Sequence, residues 1–366
     1  MEDLKVSIIT VVYNGEDTIE QTIQSVLGQT YKNIEYIIID GASSDGTLKV
    51  VEKYKHSIAC CVSEPDKGIY DAMNKGINYA TGDIIGIINS DDWYERDAVE
   101  KTVAVFNANE ADVVYGKILY GESADDMIPY PVYPIETMWY QMAVPHPSVF
   151  VKKHIYNRYG LFDLQYRIAG DYELMLRLYS SKVKFTYIDE LMAYYRTGGV
   201  SAIHAKETFI ETLRISCKYM KKSENKEVIR RLSEVGERKM FDYELEDNPV
   251  VLPQLLSKHF LTQLKKIVIF GTGKWGIRCY QALQNSGVEV AYFLDNKKSG
   301  EEVYGKSVRK PDDTVNETRY ILVAVEKGVE EIEDQLRSLG EESYVTIGRL
   351  RHEFWNDFLK EEMSDN

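Results

Sequence analysis

Along the first hundred residues, short continuous apolar runs alternate with stretches whose apolar residues recur every three or four positions. Val6–Val12 is β-branched and ends at "YNGED", a strand followed by a helix start. Asp17 or Thr18 is placed to cap a helix through Leu27. Ile34–Asp40 reads as the next strand, and Asp45 as the cap of a helix in "GTLKVVEKYK". "SIACCVSE" is a third apolar run. "KGIYDAMNKGINYA" puts Ile69, Ala72, Met73, Gly76 and Ile77 on one helical face, and Ile84–Ile88 is a fourth strand. Strands without polar alternation, separated by helices, predict βαβ units and a parallel sheet covered on both faces.

From about Ala111 the pattern is mixed. "DVVYGKILYG" predicts a strand, the Pro- and aromatic-rich stretch through "PHPSVFV" is irregular, and "GDYELMLRLYSSK" predicts a helix. "VKFTYIDELMAYYRTGG" predicts a hairpin that turns at Asp189-Glu190. A charged, mostly helical stretch follows, and "KYMKKSENKEVIRRLSEVGERK" reads as a solvated helix pair. A second α/β pattern begins at Lys265: "KKIVIFGTGKWGIRCYQAL" is strand, glycine turn and helix, "VEVAYFLDN" and "RYILVAVE" are strands, "GVEEIEDQLRSLG" is a helix, and "YVTI" is a short strand. The expected divisions are residues 1–204, a helical connector at 205–264, a small α/β module at 265–350 and an acidic tail at 351–366.

Composition narrows the function classes. At 366 residues the chain is long enough for two cores without covalent staples. Its four cysteines form no Cys-x-x-Cys or Cys/His cluster, which argues against zinc and for reduced, cytosolic thiols. The N-terminus shows neither a basic leader nor an apolar core segment, and no apolar run reaches the ~18 residues of a membrane span. A formal charge of -14 argues against nucleic acid as a partner. It leaves anionic small molecules open, because a divalent cation reverses the local sign.

The chemistry collects at strand ends. Tyr13-Asn14 follows the first strand, Asp40 ends the second, and Asn89-Ser90-Asp91-Asp92 follows the fourth. In a parallel sheet these carboxyl ends share one edge, where ligands of open α/β sheets bind. Each cluster alone is equally a turn or a cap. Adjacent carboxylates without His or thiolate partners suit Mg²⁺ or Mn²⁺, which bind through one or two carboxylates plus substrate phosphates. No Gly-x-x-x-x-Gly-Lys-Ser/Thr loop is present and no Gly-x-Gly-x-x-Gly follows the first strand. A diphosphate would therefore be held chiefly by metal, as the leaving group of a nucleoside diphosphate compound. Asp171 opens an apolar-periodic helix in "RIAGDYELMLRLYS" and is on residue chemistry either a cap or a general base.

"VSIITVVYNGEDTIEQTIQSVLGQTYKNIEYIIIDGASSDGT" and "EPDKGIYDAMNKGINYATGDIIGIINSDDWY" resemble the family 2 glycosyltransferases, over roughly residues 4 to 200. The resemblance implies the GT-A fold and an inverting sugar transfer from a nucleotide sugar, UDP-linked by preference, to a saccharide or lipid-linked saccharide in surface polysaccharide assembly. It implies a nucleobase pocket at Thr10, Val12 and Tyr13, with Asp40 accepting from the base and Lys67 approaching the nucleotide. It places Asn89, which replaces the first acid of a DxD-like element, near the ribose beside Ser90. Asp91 would coordinate Mn²⁺ or Mg²⁺, with Asp92 beside it at the metal or donor sugar, and Asp171 would be the base. In similar enzymes a loop at "YYRTGGVS" closes over the diphosphate, where Arg196 would offset charge; the alternative is a hairpin end. His146 in "VPHPSVF" either shapes an acceptor loop or is structural.

Gly271, Gly273 and Gly276 in "VIFGTGKWG", with Asp295 nineteen residues on, have the spacing of a dinucleotide fingerprint. The rival expectations are therefore an NAD-dependent oxidoreductase or a non-catalytic sugar-nucleotide sensor. The unit is only about 85 residues long, half of a two-lobed dinucleotide fold. The preferred reading is a small Rossmann-like module that is structural, docks a partner (a second copy included) or senses a sugar phosphate. A cytoplasmic enzyme with peripheral contact to the membrane's inner face suits the implied acceptor.

Overall fold

The computed structural model describes residues 3–108, 110–123, 125–199, 203–220, 226–248, 250–314 and 320–363. Val200 and Ser201 of the expected closing loop, the turn of the expected helix pair at 221–225 and the last three residues of the tail lie outside the described residues. The chain divides into two compact units, Met1–Val228 and Ile229–Asn366. The stretch read as a connector is thus shared between them.

In the first unit the elements are β1 (Val6–Val12), α1 (Ile19–Leu27), β2 (Ile34–Asp40), α2 (Thr47–Glu52), β3 (Cys60–Ser63), α3 (Ile69–Tyr79), β4 (Ile84–Asn89), β5 (Trp93–Tyr94) and α4 (Ala98–Ala108). They continue with β6 (Val113–Gly121), β7 (Ile128–Pro129), β8 (Phe150–Lys152), α5 (Lys153–Tyr159), α6 (Gly170–Ser180), β9 (Phe185–Arg196) and α7 (Ala205–Met220). The sheet runs β3-β2-β1-β4-β8-β6-β9-β5, with β7 on β6. β1 to β4 pair in parallel, β8 is antiparallel to β4 and β6, and β6 and β9 are parallel.

Alternation within the apolar strands divides them between two cores. Ile9, Val11, Ile37, Ile39, Ile85 and Ile87 face α3, α5 and α6. Val6, Ile8, Ile38, Ile84 and Ile88 face α1, α2 and α4. That is why these strands carry no polar alternation.

The expected hairpin is overturned. Phe185–Arg196 is one strand, and its register with β6 jumps from Gly116↔Ile188 to Lys117↔Leu191. Asp189 and Glu190 are the extra residues of a bulge. Glu190 stands where a two-residue hairpin turn prefers glycine, so the pair lacks the chemistry of a tight turn. The charged side chains instead bulge to solvent, where Asp189 meets Lys117 at 2.7 Å and Glu190 meets Lys101 at 3.1 Å.

The second unit contains α8 (Lys226–Asp247, whose first residues precede the division), α9 (Val251–Phe260), β10 (Lys266–Phe270), α10 (Lys274–Asn285), β11 (Glu289–Leu294), β12 (Glu302–Val303) and β13 (Lys306–Arg309). β14 (Ile321–Val323), α11 (Val329–Ser338), β15 (Tyr344–Thr346) and α12 (Ile347–Met363) complete it. Its sheet runs β12-β13-β11-β10-β14-β15, parallel except for β12. Strand order reverses direction at β10, as in doubly wound folds.

Candidate functional site

The parallel register sets the strand ends level. Val12 lies opposite Asp40 and Val11 opposite Asn89, so the three polar clusters open on one edge. Two loops there are laced together. The backbone of Asn14, held at φ 51, donates to Ser43 Oγ at 2.7 Å, and Asn14 Oδ1 accepts from the Ser44 N–H at 2.9 Å. Gly15 N–H donates to Thr47 Oγ1 at 2.9 Å and Glu16 N–H to Asp45 Oδ2 at 3.1 Å. Asp45 Oδ1 also accepts from the Thr47 N–H at 3.0 Å and so serves the start of α2. At α1, Thr18 makes no capping hydrogen bond through its side chain.

The residues expected around a nucleobase differ in access. Thr10 is fully enclosed, its hydroxyl 3.0 Å from Tyr36 OH, and Val12 is buried. Tyr13 is 67% exposed. Asp40 is enclosed, and its Oδ2 accepts from Ser63 Oγ at 2.6 Å and from the Ser43 N–H at 3.1 Å. A Cβ on Gly41 would come within 2.5 Å of Asp66 Oδ2 and 3.4 Å of the Tyr13 ring, so this glycine leaves room for both side chains. Sequence reasoning passed over Asp66, although it stands in the quoted "EPDKG". Lys67 is exposed, and its N–H donates to Asp71 Oδ2 at 3.0 Å.

At the end of β4, Ser90 faces Gly15, whose added Cβ would lie 3.1 Å from Ser90 Oγ. Burial pushes the Asp91 carboxyl above its usual range, with the Arg196 charge opposing it. Asp92 is fully enclosed, and burial together with the Asp91 charge raises its carboxyl well above that range. Asp92 Oδ1 accepts from the Arg196 N–H at 3.0 Å. Asp92 Oδ2 and Asn89 Oδ1 are buried without a hydrogen-bond partner among the described residues. Unmet buried acceptors mark places where a donor or a cation would be stabilised.

Arg196 is held rather than free. Its guanidinium donates to the Asp91 carbonyl at 3.3 Å, the Glu122 carbonyl at 3.3 Å and Gln21 Oε1 at 2.9 Å, and it lies 5.4 Å from the Trp93 ring centroid. The following turn comes back over the acid: a Cβ on Gly199 would be 3.8 Å from Asp91 Oδ2 and from Tyr195 OH.

Asp171 lies in the first turn of α6 and not at its cap, which is Ala169. Tyr70 OH, from the start of α3, donates to the Ile168 carbonyl and stands 3.1 Å from Asp171 Oδ1. A Cβ on Gly170 would strike the Tyr70 ring at 2.7 Å, so the glycine permits this approach. Burial raises the phenol of Tyr130, and Tyr133, Tyr195 and Asp171 raise it further. His146 joins the same neighbourhood. Burial pulls its imidazole below the usual value, the Asp171 charge opposes this, and its ring centroid is 6.4 Å from that of Phe162. Glu173 is buried on the opposite side, paired with Arg177 at 2.9 Å and with Tyr219 OH.

In the second unit Gly271 (φ 109) turns the chain after β10, and Gly276 packs on it: an added Cβ would fall 1.9 Å from the Gly271 carbonyl oxygen. Gly273 caps α10. Asp295 is half-buried. It accepts from Thr272 Oγ1 at 2.7 Å and from the N–H groups of Lys297 and Lys298 at 2.9 and 3.2 Å.

Among the described residues no group of three or more His, Cys, Asp or Glu is arranged to hold a metal, and no helix is long and apolar enough to cross a membrane.

Residues 7–148 match the family described as "Glycosyl transferase family 2", and residues 263–346 match the one described as "C2185-like, N-terminal". The E. coli UDP-Glc:alpha-D-GlcNAc-diphosphoundecaprenol beta-1,3-glucosyltransferase WfaP is 30% identical over 207 residues, which span 55% of this chain and 82% of that protein. A PGL/p-HBAD biosynthesis glycosyltransferase of Mycobacterium bovis is 25% identical over 224 residues, 57% of this chain and 84% of that protein. Among solved structures, S. aureus TarS 1-349 in complex with UDP superposes with a TM-score of 0.55 at 19% identity, over 69% of this chain and 79% of that one, a likeness of fold. The family match falls within the unit whose strand ends form this edge, the relatives are matched over most of their own lengths, and the chain belongs to glycosyl transferase family 2, as a glycosyltransferase of the GT-A fold.

Proposed function

We propose that the first unit transfers a sugar with inversion from a nucleoside diphosphate sugar, UDP-linked by preference, to a hydroxyl of a saccharide or lipid-linked saccharide, in surface polysaccharide assembly at the inner face of a membrane. The observation that carries this reading is the level register of β1, β2 and β4, which brings Tyr13, Asp40 and Asn89 to one edge beside Asp91. The acceptor class is supported by the printed names of the relatives, one of which acts on a diphosphoundecaprenol-linked sugar.

Each side chain then has a task. Tyr13 offers an exposed ring to the base, with Asp40 behind it and Asp66 alongside. Lys67 stands exposed just ahead of α3, its backbone tied to Asp71. Oxygen donors without nitrogen or sulfur fit Mn²⁺ or Mg²⁺. Asp91 would hold that ion, and the unpartnered Asn89 Oδ1 and Asp92 Oδ2 lie within two residues of it in sequence. When bound, the ion neutralises charge on the departing diphosphate. Asp171 accepts the proton of the attacking hydroxyl through the carboxylate oxygen that Tyr70 leaves free. The tyrosines and His146 around Asp171 line the acceptor side. Arg196 acts through position, since its guanidinium fastens the Asp91 backbone and its N–H holds Asp92.

The test begins with thermal shifts by UDP, GDP and dTDP, each with and without Mn²⁺. Release of nucleoside diphosphate from the matching sugar nucleotide follows. Asp91→Ala is expected to weaken nucleotide binding in the presence of Mn²⁺. Asp171→Asn is expected to leave that binding within about twofold while kcat falls by ~10²–10⁴. Equal losses of binding in both variants would refute the division of roles.

A further inference from the structure

The turn that carries Asp171 is fastened from outside by a residue that no motif marks. Glu211, in the middle of α7, reaches back to the chain just ahead of α6. Its Oε1 accepts from the Arg167 N–H at 3.0 Å. Its Oε2 accepts from the N–H groups of Ile168 at 2.9 Å and Ala169 at 2.8 Å. Three consecutive backbone donors on one carboxylate form a closed anion cradle, and each bond is charge-assisted. The carboxylate also caps the positive end of α6 at the point where Asp171 begins its first turn.

The same peptide is gripped on both sides. The Ala169 N–H goes to Glu211, while the Ile168 carbonyl of the same peptide unit accepts from Tyr70 OH, the hydroxyl that stands 3.1 Å from Asp171 Oδ1. A rotation of that peptide would therefore move both the Tyr70 hydroxyl and the start of α6. Further along, α7 adds two more ties. Ser216 Oγ lies 2.9 Å from Tyr172 OH, next in sequence to Asp171, and Tyr219 OH donates to the buried Glu173. These later contacts fix where the helix body lies. Of these α7 side chains, Glu211 is the one that acts on the residues that aim its first turn.

We propose that Glu211 is a positioning residue for sugar transfer, its carboxylate fixing the Arg167–Ala169 backbone so that the free oxygen of Asp171 points at the acceptor hydroxyl. This rests on the reading of Asp171 as the base. A displacement of about 1 Å in a reacting group can cost ~10²-fold in rate. The loss from removing Glu211 should therefore appear in kcat and not in donor binding, because the strand-end cluster that meets the nucleotide makes none of these bonds.

The experiment uses the full chain with Mn²⁺ and the sugar nucleotide selected by the thermal-shift panel. Release of nucleoside diphosphate and its binding constant are measured for Glu211→Ala, Glu211→Gln, Asp171→Asn and Asp171→Asn/Glu211→Ala. Glu211→Ala is expected to lower kcat by ~10–10²-fold with the binding constant within about twofold. Glu211→Gln keeps one carbonyl oxygen for two of the three donors and is expected to retain an intermediate kcat, which guards against poor folding of the alanine variant. In the Asp171→Asn background, removing Glu211 should cost nothing further, because there is no longer a base to aim. Unchanged kcat in both Glu211 variants, or losses that multiply in the double variant, would overturn the proposal. Full activity of Asp171→Asn alone would instead remove the base reading on which it rests, a result separable from the other two.

Discussion

Asp92 shows how one residue can be legible in identity and obscure in role. The doublet Asp91-Asp92 invites a reading as two equivalent acids, yet the second is fully enclosed and the first is not. Burial and the neighbouring charge lift the Asp92 carboxyl well above its usual value, whereas Asp92 Oδ1 is stabilised by one N–H from Arg196. A raised carboxyl has a defined consequence for stability. Below the ordinary value of 3.8, folded and unfolded chains both hold the proton. As pH rises past it, the unfolded chain releases its proton and the folded chain keeps it, so stability falls until the folded value is passed. In metal-free protein, Asp92→Asn should abolish this decline. Its Tm, followed from pH 4 to pH 8, is expected to gain on that of the unaltered protein as pH rises; parallel profiles would show that Asp92 is ionised in the folded state.

At the level of elements, the close seating of α3 on the sheet depends on a missing side chain. Gly76 faces Ile9 of β1, and an added Cβ would lie 2.4 Å from Ile9 Cγ2. Alanine would gain ~1 kcal/mol in helix propensity and lose ~1–3 kcal/mol to overpacking. Because Ile9 is fully buried between neighbouring strands, it has nowhere to move and the loss prevails. Gly76→Ala is expected to lower the urea midpoint at unchanged m-value, with nucleotide binding weakened as α3 shifts Asp66 and Tyr70. The helical face containing Gly76 was readable from the spacing of Ile69, Ala72, Met73 and Ile77, and three of those four are buried as that spacing requires. The strands β1, β2 and β4 were readable for the same reason, since each buries both faces. The sequence did not disclose α4, whose apolar face is Val99, Val103 and Phe106, nor the bulge at Asp189-Glu190, which is set by the strand beside it. The site divides likewise. Tyr13, Asp40, Asn89 and Asp91 follow from strand ends in a parallel sheet. Glu211 and Tyr70 act through backbone groups far away in sequence, and no local pattern encodes such a partner.

The molecule as a whole is two compact units on one acidic chain. One unit buries Ile9, Ile37 and Leu174 in one cluster and Ile8, Ile38 and Val99 in another; the other buries Ile269, Leu283, Phe293 and Leu322. Each is large enough to unfold cooperatively by itself. The ligand expectations also separate. With a formal charge of -14, a nucleoside diphosphate is repelled unless a divalent ion comes with it, so chelation should remove its effect. In the second unit, Asp295 occupies the position from which an acid would accept the ribose hydroxyls of a dinucleotide, but its oxygens already accept from Thr272, Lys297 and Lys298. Opening that turn to admit a ribose would cost several hydrogen bonds to a charged group, each worth ~1.5–3 kcal/mol. Scanning calorimetry is therefore expected to resolve two transitions. UDP with Mn²⁺, at about a hundred times its dissociation constant, should raise one of them by roughly 5–10 °C and leave the other in place. EDTA should cancel that shift, and NADH should move neither transition. A single transition, or an upward shift of the second with NADH, would show that the glycine turn of β10 binds a ligand after all or that the two units melt as one.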